Sequence, residues 1–229
     1  MLLAGHEFDV QDWREELPTQ FDPAVIEVPD ENAPGGIASV LRSSEFDGCS
    51  SSAEVRKVAS YLVPTLSGLI AVRRKGARPV GPGRTVYEFP ADGSVRRHMS
   101  IEPQPGEIRL RGSAVLLRHC GERVEEPKPS CTQWLANRVS GDLREALHFY
   151  NRADNWFDLF KSLEAVQHHV GGRDKLKEFG FTREELSSLG ASPQHVRHYK
   201  STANPPRLLT LEQARDLMRR ILEAVLSGL

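Results

Sequence analysis

The stretch Asn155-Trp156-Phe157-Asp158-Leu159-Phe160-Lys161-Ser162-Leu163-Glu164-Ala165-Val166, running on to Val170 and closed by Gly171-Gly172, decides the fold class. Trp156, Leu159, Phe160, Leu163, Val166 and Val170 recur with a period near 3.6. Asn155 stands where an N-cap belongs and the glycine pair where a helix stops, so the spacing predicts a helix over 156–170. Working outward, Leu143, Ala146, Leu147 and Tyr150 follow i, i+3, i+4, i+7 and predict the helix before it. Thr182-Arg183-Glu184-Glu185 is a capping-box pattern for a short helix reaching Leu189. Thr210-Leu211-Glu212-Gln213 is a second such pattern and opens a final helix through Leu226, with Pro193, Pro205 and Pro206 punctuating the connection. Residues 131–229 therefore read as an all-α bundle of about four helices.

Upstream the pattern changes. Glu125-Glu126-Pro127-Lys128-Pro129-Ser130 is charged, carries two prolines and has no period, and reads as an exposed connection between two parts. Before it, Ala24-Val25-Ile26-Glu27-Val28, Thr85-Val86-Tyr87-Glu88-Phe89 and Ala114-Val115-Leu116-Leu117-Arg118 carry strand signals. Pro90-Ala91-Asp92-Gly93-Ser94 supplies an Asp-Gly turn for a hairpin, because glycine accepts positive φ. One helix interrupts the strands, capped at Ser52, with Val55, Val58, Ala59 and Leu62 as its apolar stripe before Pro64 disturbs the pattern. The fold class that follows is α+β, a mixed region over 1–130 with antiparallel strands and one main helix, then the bundle over 131–229.

Composition narrows the functions open to such a chain. Its 229 residues are 39% hydrophobic and 27% charged, enough for a buried core, and 30 Lys+Arg against 31 Asp+Glu leave a net charge of -1. No global positive field favours nucleic acid or an anionic membrane, so such a partner must be met locally. No apolar run approaches the roughly 20 residues that cross a bilayer, and neither secretion nor membrane insertion is expected. Cys49, Cys120 and Cys131 are odd in number and widely spaced, which indicates no disulfide framework or zinc knuckle and fits a reducing cytoplasm. Charge is unevenly spread: residues 1–31 hold nine acids against Arg14 alone, whereas residues 72–118 hold ten bases against four acids. Opposite stretches of this kind can neutralise each other within the fold.

Motifs for established chemistries are sparse. Gly76-Ala77-Arg78-Pro79-Val80-Gly81-Pro82-Gly83-Arg84 lacks the Gly-Lys-Ser/Thr ending of a phosphate loop and reads as a connection between strands. A GxSxG elbow, HExxH and paired zinc-ligand spacings are missing, and adjacent His168-His169 point about 100° apart on a helix, so no metal or cofactor is expected. Gln194-His195-Val196-Arg197-His198-Tyr199-Lys200, followed by Ser201, Thr202 and Asn204, concentrates imidazole, guanidinium, phenol and ammonium donors. Such donors suit a phosphate or an RNA backbone, with His able to move a proton near neutral pH; a basic helix end followed by a polar loop is the plainer reading.

Asn155 to Val166, Val196-Arg197-His198 and Thr210-Leu211-Glu212-Gln213-Ala214-Arg215 together resemble the helical part of bacterial proteins similar to the HEPN superfamily, over roughly residues 140–226. The resemblance implies a helical bundle, often dimeric, in a superfamily with many metal-independent ribonucleases of toxin–antitoxin or anti-phage systems and some non-catalytic binding partners. The superfamily's catalytic signature is an Arg followed by four to six residues and a His. This chain departs from it: Arg197 and His198 are adjacent, and Arg144 and His148 are separated by only three residues.

Two functional expectations follow. The first is a non-catalytic or regulatory protein binding a protein partner or RNA, in anti-phage defence or stress response, as a cytoplasmic homodimer. His195, Tyr199, Lys200, Asn204, Trp156 and Lys161 would then be binding residues. The alternative is a metal-independent endoribonuclease with a rearranged site, in which Arg197 stabilises charge on the phosphate, His198 or His195 moves the proton and Glu164 orients Arg197. Glu164 either points outward or pairs inside the bundle with Arg197. Trp156 and Phe160 either pack in the core or shape a pocket floor. The charge balance of residues 133–229, 14 bases against 12 acids, does little to attract RNA.

Overall fold

The computed structural model describes residues 1–99, 131, 139, 141–197 and 208–228, with 191–197 by backbone alone. The expected strand at Ala114–Arg118 and the connection Glu125–Ser130 lie outside the described residues. The elements are β1 (Leu3–Ala4), α1 (Glu7–Glu16), β2 (Ala24–Pro29), β3 (Ile37–Arg42), α2 (Ser52–Arg73), β4 (Gly81–Pro82), β5 (Thr85–Glu88), β6 (Arg96–Met99), α3 (Gly141–Arg152), α4 (Trp156–Val170), α5 (Arg183–Arg197) and α6 (Leu211–Ser227). The α+β reading holds: short antiparallel strands occupy the first part and helices the second.

Among the described residues the strands form three antiparallel pairs, β1 with β4, β2 with β3 and β5 with β6. The first residues of the chain stitch them together. Leu41 N donates to Met1 O at 2.8 Å, Leu2 N donates to Thr85 O at 2.9 Å, and Gly83 N donates to Leu2 O at 2.7 Å. The expected Asp-Gly turn is present, with Gly93 at φ 78 and Ser94 N donating to Asp92 Oδ1 at 2.8 Å. It sits within a longer connection, since the last paired residues are Glu88 and Arg96.

Two helices differ from expectation. Ser51, not Ser52, caps α2, accepting from Glu54 N, and the helix passes through Pro64 to Arg73. Proline costs one main-chain hydrogen bond there, and burial of Leu62, Val63, Leu66, Leu69 and Ile70 on both sides of it offsets the loss. At 22 residues α2 is long enough, and over an 18-residue window apolar enough, to cross a bilayer, yet over half of that window is buried inside this fold. The acidic first stretch also forms a helix, α1, that hydrophobic period does not announce. Only Val10 and Trp13 supply its buried apolar face, and its third buried residue is Glu16.

Both parts contribute to the main core cluster, with Trp13, Leu17, Leu66 and Leu69 packed in it together with Leu143, Leu147, Leu163 and Ile221, and a smaller cluster gathers Val28, Ala38, Val40 and Tyr87. Gly68 lets α2 lie directly on α3: a Cβ at that position would stand 2.5 Å from Leu147 O. Ser162 Oγ donates to Ala146 O at 2.8 Å and fixes α4 on α3. The caps expected for α4 and α6 form as read. Asn155 accepts from Asp158 N, Gly171 adopts φ 84, and Thr210 and Gln213 bond reciprocally.

Part of the uneven charge is paired inside the fold. Arg73 Nε donates to Glu16 Oε2 at 2.7 Å, and Arg74 reaches Glu16, Asp12 and Glu15 at 2.9, 2.6 and 2.6 Å. These guanidinium groups close the C-terminus of α2, where the helix dipole favours cations. Cys131, fully buried, donates its thiol to Glu16 Oε2 at 3.5 Å, and burial followed by the Glu16 charge pushes that thiol well up. A second tie joins the β5–β6 hairpin to Asp30, just past the end of β2: Tyr87 Oη donates to Asp30 Oδ2 at 2.5 Å and Arg97 pairs with Asp30.

Candidate functional site

The residues expected to carry function fall in three places. Trp156 opens α4 and packs half-buried against the core, as in the packing alternative for that residue. Lys161 and Glu164 lie on the exposed side of α4 and pair with each other at 2.7 Å, so Glu164 points outward and its carboxylate is engaged within its own helix. Lys161 Nζ also stands 6.0 Å from the Phe157 ring centroid. His195 and Arg197 belong to the last turns of α5, which extends past the expected end at Leu189 and through Pro193. Two positions apart on a helix, residues 195 and 197 stand about 200° apart around its axis. His198, Tyr199, Lys200 and Asn204 lie outside the described residues.

A concavity lies elsewhere, a groove of about 890 Å³ between the end of α2, the start of α5 and the first half of α6, with Tyr150 of α3 in its wall. Helix propensity and capping build it. The capping boxes at Thr182 and Thr210 start α5 and α6 there, and Glu185 and Gln213 accept the cap N–H groups at 2.9 and 3.0 Å. The helix ends thereby satisfy their own donors and leave the side chains of the first turns to define the groove.

Its charges are mixed. Lys75, Arg215, Arg219 and Arg220 are the cations, and Glu184, Glu185, Glu212 and Asp216 the anions. Many are tied to one another. Arg220 Nη1 donates to Glu185 Oε1 at 3.3 Å while its guanidinium covers the Phe181 ring at 5.7 Å. Asp216 Oδ1 lies 3.4 Å from Arg219 Nε and 3.5 Å from Lys75 Nζ, and Arg219 Nη1 reaches Glu223 at 3.0 Å. Glu185 is held below the ordinary glutamate range by the Thr182 N–H first, with Arg220 adding to the effect. Arg215 lies over the Tyr150 ring at 5.3 Å and donates Nη1 to Ala153 O.

A second concavity of about 580 Å³ opens between β3, the loop into α2 and the β5–β6 hairpin, with Cys49 and His98 in its lining. His98 Nε2 lies 2.9 Å from Glu88 Oε2. No group of three or more His, Cys, Asp or Glu among the described residues could hold a metal ion.

Sequence reasoning missed the groove because its walls come from positions 75, 150, 185 and 215, far apart in the chain. The one local signal was Arg215 and Arg219 at i, i+4 on the flank of the final helix. Comparison of the chain with protein-family models, with curated proteins and with solved structures finds no match.

Proposed function

We propose that this chain is a non-catalytic binding protein of the bacterial cytoplasm whose helical part docks a protein partner in the groove between α2, α5 and α6. The observation that carries the reading is the charge pattern of the groove, four cations and four anions side by side. A nucleic-acid backbone is drawn by an excess of cations, and here Lys75, Arg219 and Arg220 each have an acid beside them. A polypeptide of mixed charge suits such a lining, since paired opposite charges fix register and reject wrong partners. Arginine and tyrosine, which recur at the energetic centres of protein interfaces, supply four of the lining residues, Tyr150, Arg215, Arg219 and Arg220. The resemblance of residues 140–226 to the HEPN superfamily, without its Arg-to-His spacing, agrees with a partner-binding role in anti-phage defence or stress response, as a homodimer.

The test is a photo-crosslink from the groove rim. Glu184 is exposed, so Glu184→p-benzoylphenylalanine leaves the core and the Thr182 cap intact. In the native host this variant is expected to yield one discrete protein adduct, lost when Arg220→Glu is added. The reading is overturned if the adducts are RNA. It is overturned equally if the wild-type protein cleaves single-stranded RNA in EDTA and His198→Ala does not, an outcome that would establish the ribonuclease alternative.

A further inference from the structure

We propose that Tyr150 and Arg215 form a carboxylate subsite in the groove, a pocket for an Asp or Glu side chain of the docked polypeptide; this rests on the partner-binding reading above. Tyr150 is 3% exposed, lines the groove, and its hydroxyl gives no hydrogen bond to any described residue. Tyr150 Oη is not one of the enclosed, unpartnered polar atoms of the described residues, so this largely buried side chain opens its hydroxyl on the groove it lines. Arg215, Arg219 and Asp216, all groove residues, are the charges nearest in effect to this phenol. Burial raises the phenol above its ordinary value, which keeps it a donor through the neutral range.

Arg215 supplies the second donor group. Its Nη1 bond to Ala153 O and its seat on the Tyr150 ring hold the guanidinium in place. Its Nε and Nη2 have no acceptor among the described residues. The nearest acid along the helix, Asp216, is already shared by Arg219 and Lys75. A positioned guanidinium beside a hydroxyl donor matches a planar oxyanion, which accepts from both.

A carboxylate fits better than a phosphate on charge. Glu184, Glu185 and Glu212 also line the groove, and a dianion would be repelled by each about twice as strongly as a monoanion. The same acids would receive the basic residues flanking the anchoring Asp or Glu, so the segment recognised is one in which acidic and basic side chains alternate.

The test follows the Arg215 Nε–H resonance by NMR in the full chain while N-acetylglutamate N-methylamide, its glutamine counterpart or inorganic phosphate is added. The glutamate probe is expected to give a saturable shift, the glutamine probe none, and phosphate a weaker one. Tyr150→Phe, which keeps the ring and the packing, should weaken the glutamate probe about tenfold, the value of one hydrogen bond to a charged group. An unchanged affinity in Tyr150→Phe, equal response to glutamine, or tighter binding of phosphate would overturn the subsite. The position-184 crosslink separates the two proposals. An adduct that persists undiminished in Tyr150→Phe overturns the subsite and leaves the partner reading, whereas saturable glutamate binding with no adduct in the otherwise wild-type chain supports the subsite and overturns the partner.

Discussion

At the contact between α1 and the end of α2, Glu16 is 7% exposed and both of its carboxylate oxygens take guanidinium donors at 2.7 and 2.9 Å. In the groove of the helical part, Asp216 is 40% exposed and its two ion pairs stand at 3.4 and 3.5 Å. Both regions balance acids with bases, and a count of charges along the chain does not separate them. Their difference is geometric. The first set is closed by Cys131 and the α2 terminus and holds two helices together, whereas the second is open, with Arg215 donors and the Tyr150 hydroxyl left over. Charge balance therefore describes a structural tie in one place and an open groove in the other, and burial decides between them.

The sharpest way to break this contrast is Glu16→Gln. It leaves two guanidinium groups facing a neutral amide, and the unfolding free energy is expected to fall by about 2 kcal/mol, less than for a fully enclosed pair because Arg74 remains a third exposed. Urea unfolding measures it, and a loss below about 0.5 kcal/mol would remove the distinction between the regions.

A smaller effect is expected at the other closed tie, and it depends on pH. The hydrogen bond from Tyr87 first, then that from the Asn32 N–H, holds the Asp30 carboxyl at about 2 against an ordinary 3.8. A carboxylate depressed in the folded state contributes stability that is present above its unfolded value and lost as pH falls through the folded one. The gap in urea midpoint between wild type and Asp30→Asn should thus be constant above 3.8 and close as pH falls toward about 2. A gap that persists at the acid end would assign the tie to packing of Tyr87 instead.

On the open side the expected values shrink again. A double-mutant cycle on Arg220→Ala and Glu185→Ala should give a coupling under about 1 kcal/mol, since Arg220 is half-exposed and the contact is a single bond at 3.3 Å. The smallest is the Lys161–Glu164 pair on α4, where the same cycle should return less than about 0.5 kcal/mol. A larger coupling there would mean that Glu164 has a partner besides its helical neighbour.

How much of this was legible in advance follows the range of each interaction. The caps at Asn155 and Thr210, the Gly171 stop and the stripe from Leu143 to Tyr150 are decided by residues within one or two turns, and they read correctly. The extent of α2 beyond Pro64 and of α5 beyond Leu189 did not, because a proline sets a local cost whose outcome depends on what the helix buries farther along. Helix α1 was hidden for the same reason: Glu16 reads as a solvent residue until Arg73 and Arg74, nearly sixty positions away, arrive beside it. Of the candidate site, Lys161, Glu164 and Trp156 were correctly placed on one helix, but helix membership alone did not say that Glu164 points outward to Lys161.

By itself, then, the sequence determined the α+β class, the caps of α4 and α6, the apolar faces of α3 and α4 and the complementary charge of residues 1–31 and 72–118, all of which depend on spacing and residue type. Only the tertiary structure decided which charges are closed and which stay open. Lys75, Tyr150, Glu185 and Arg215 meet because α2, α3, α5 and α6 each bury an apolar face against a shared core, and the polar residues beside those faces are carried into one groove by that packing.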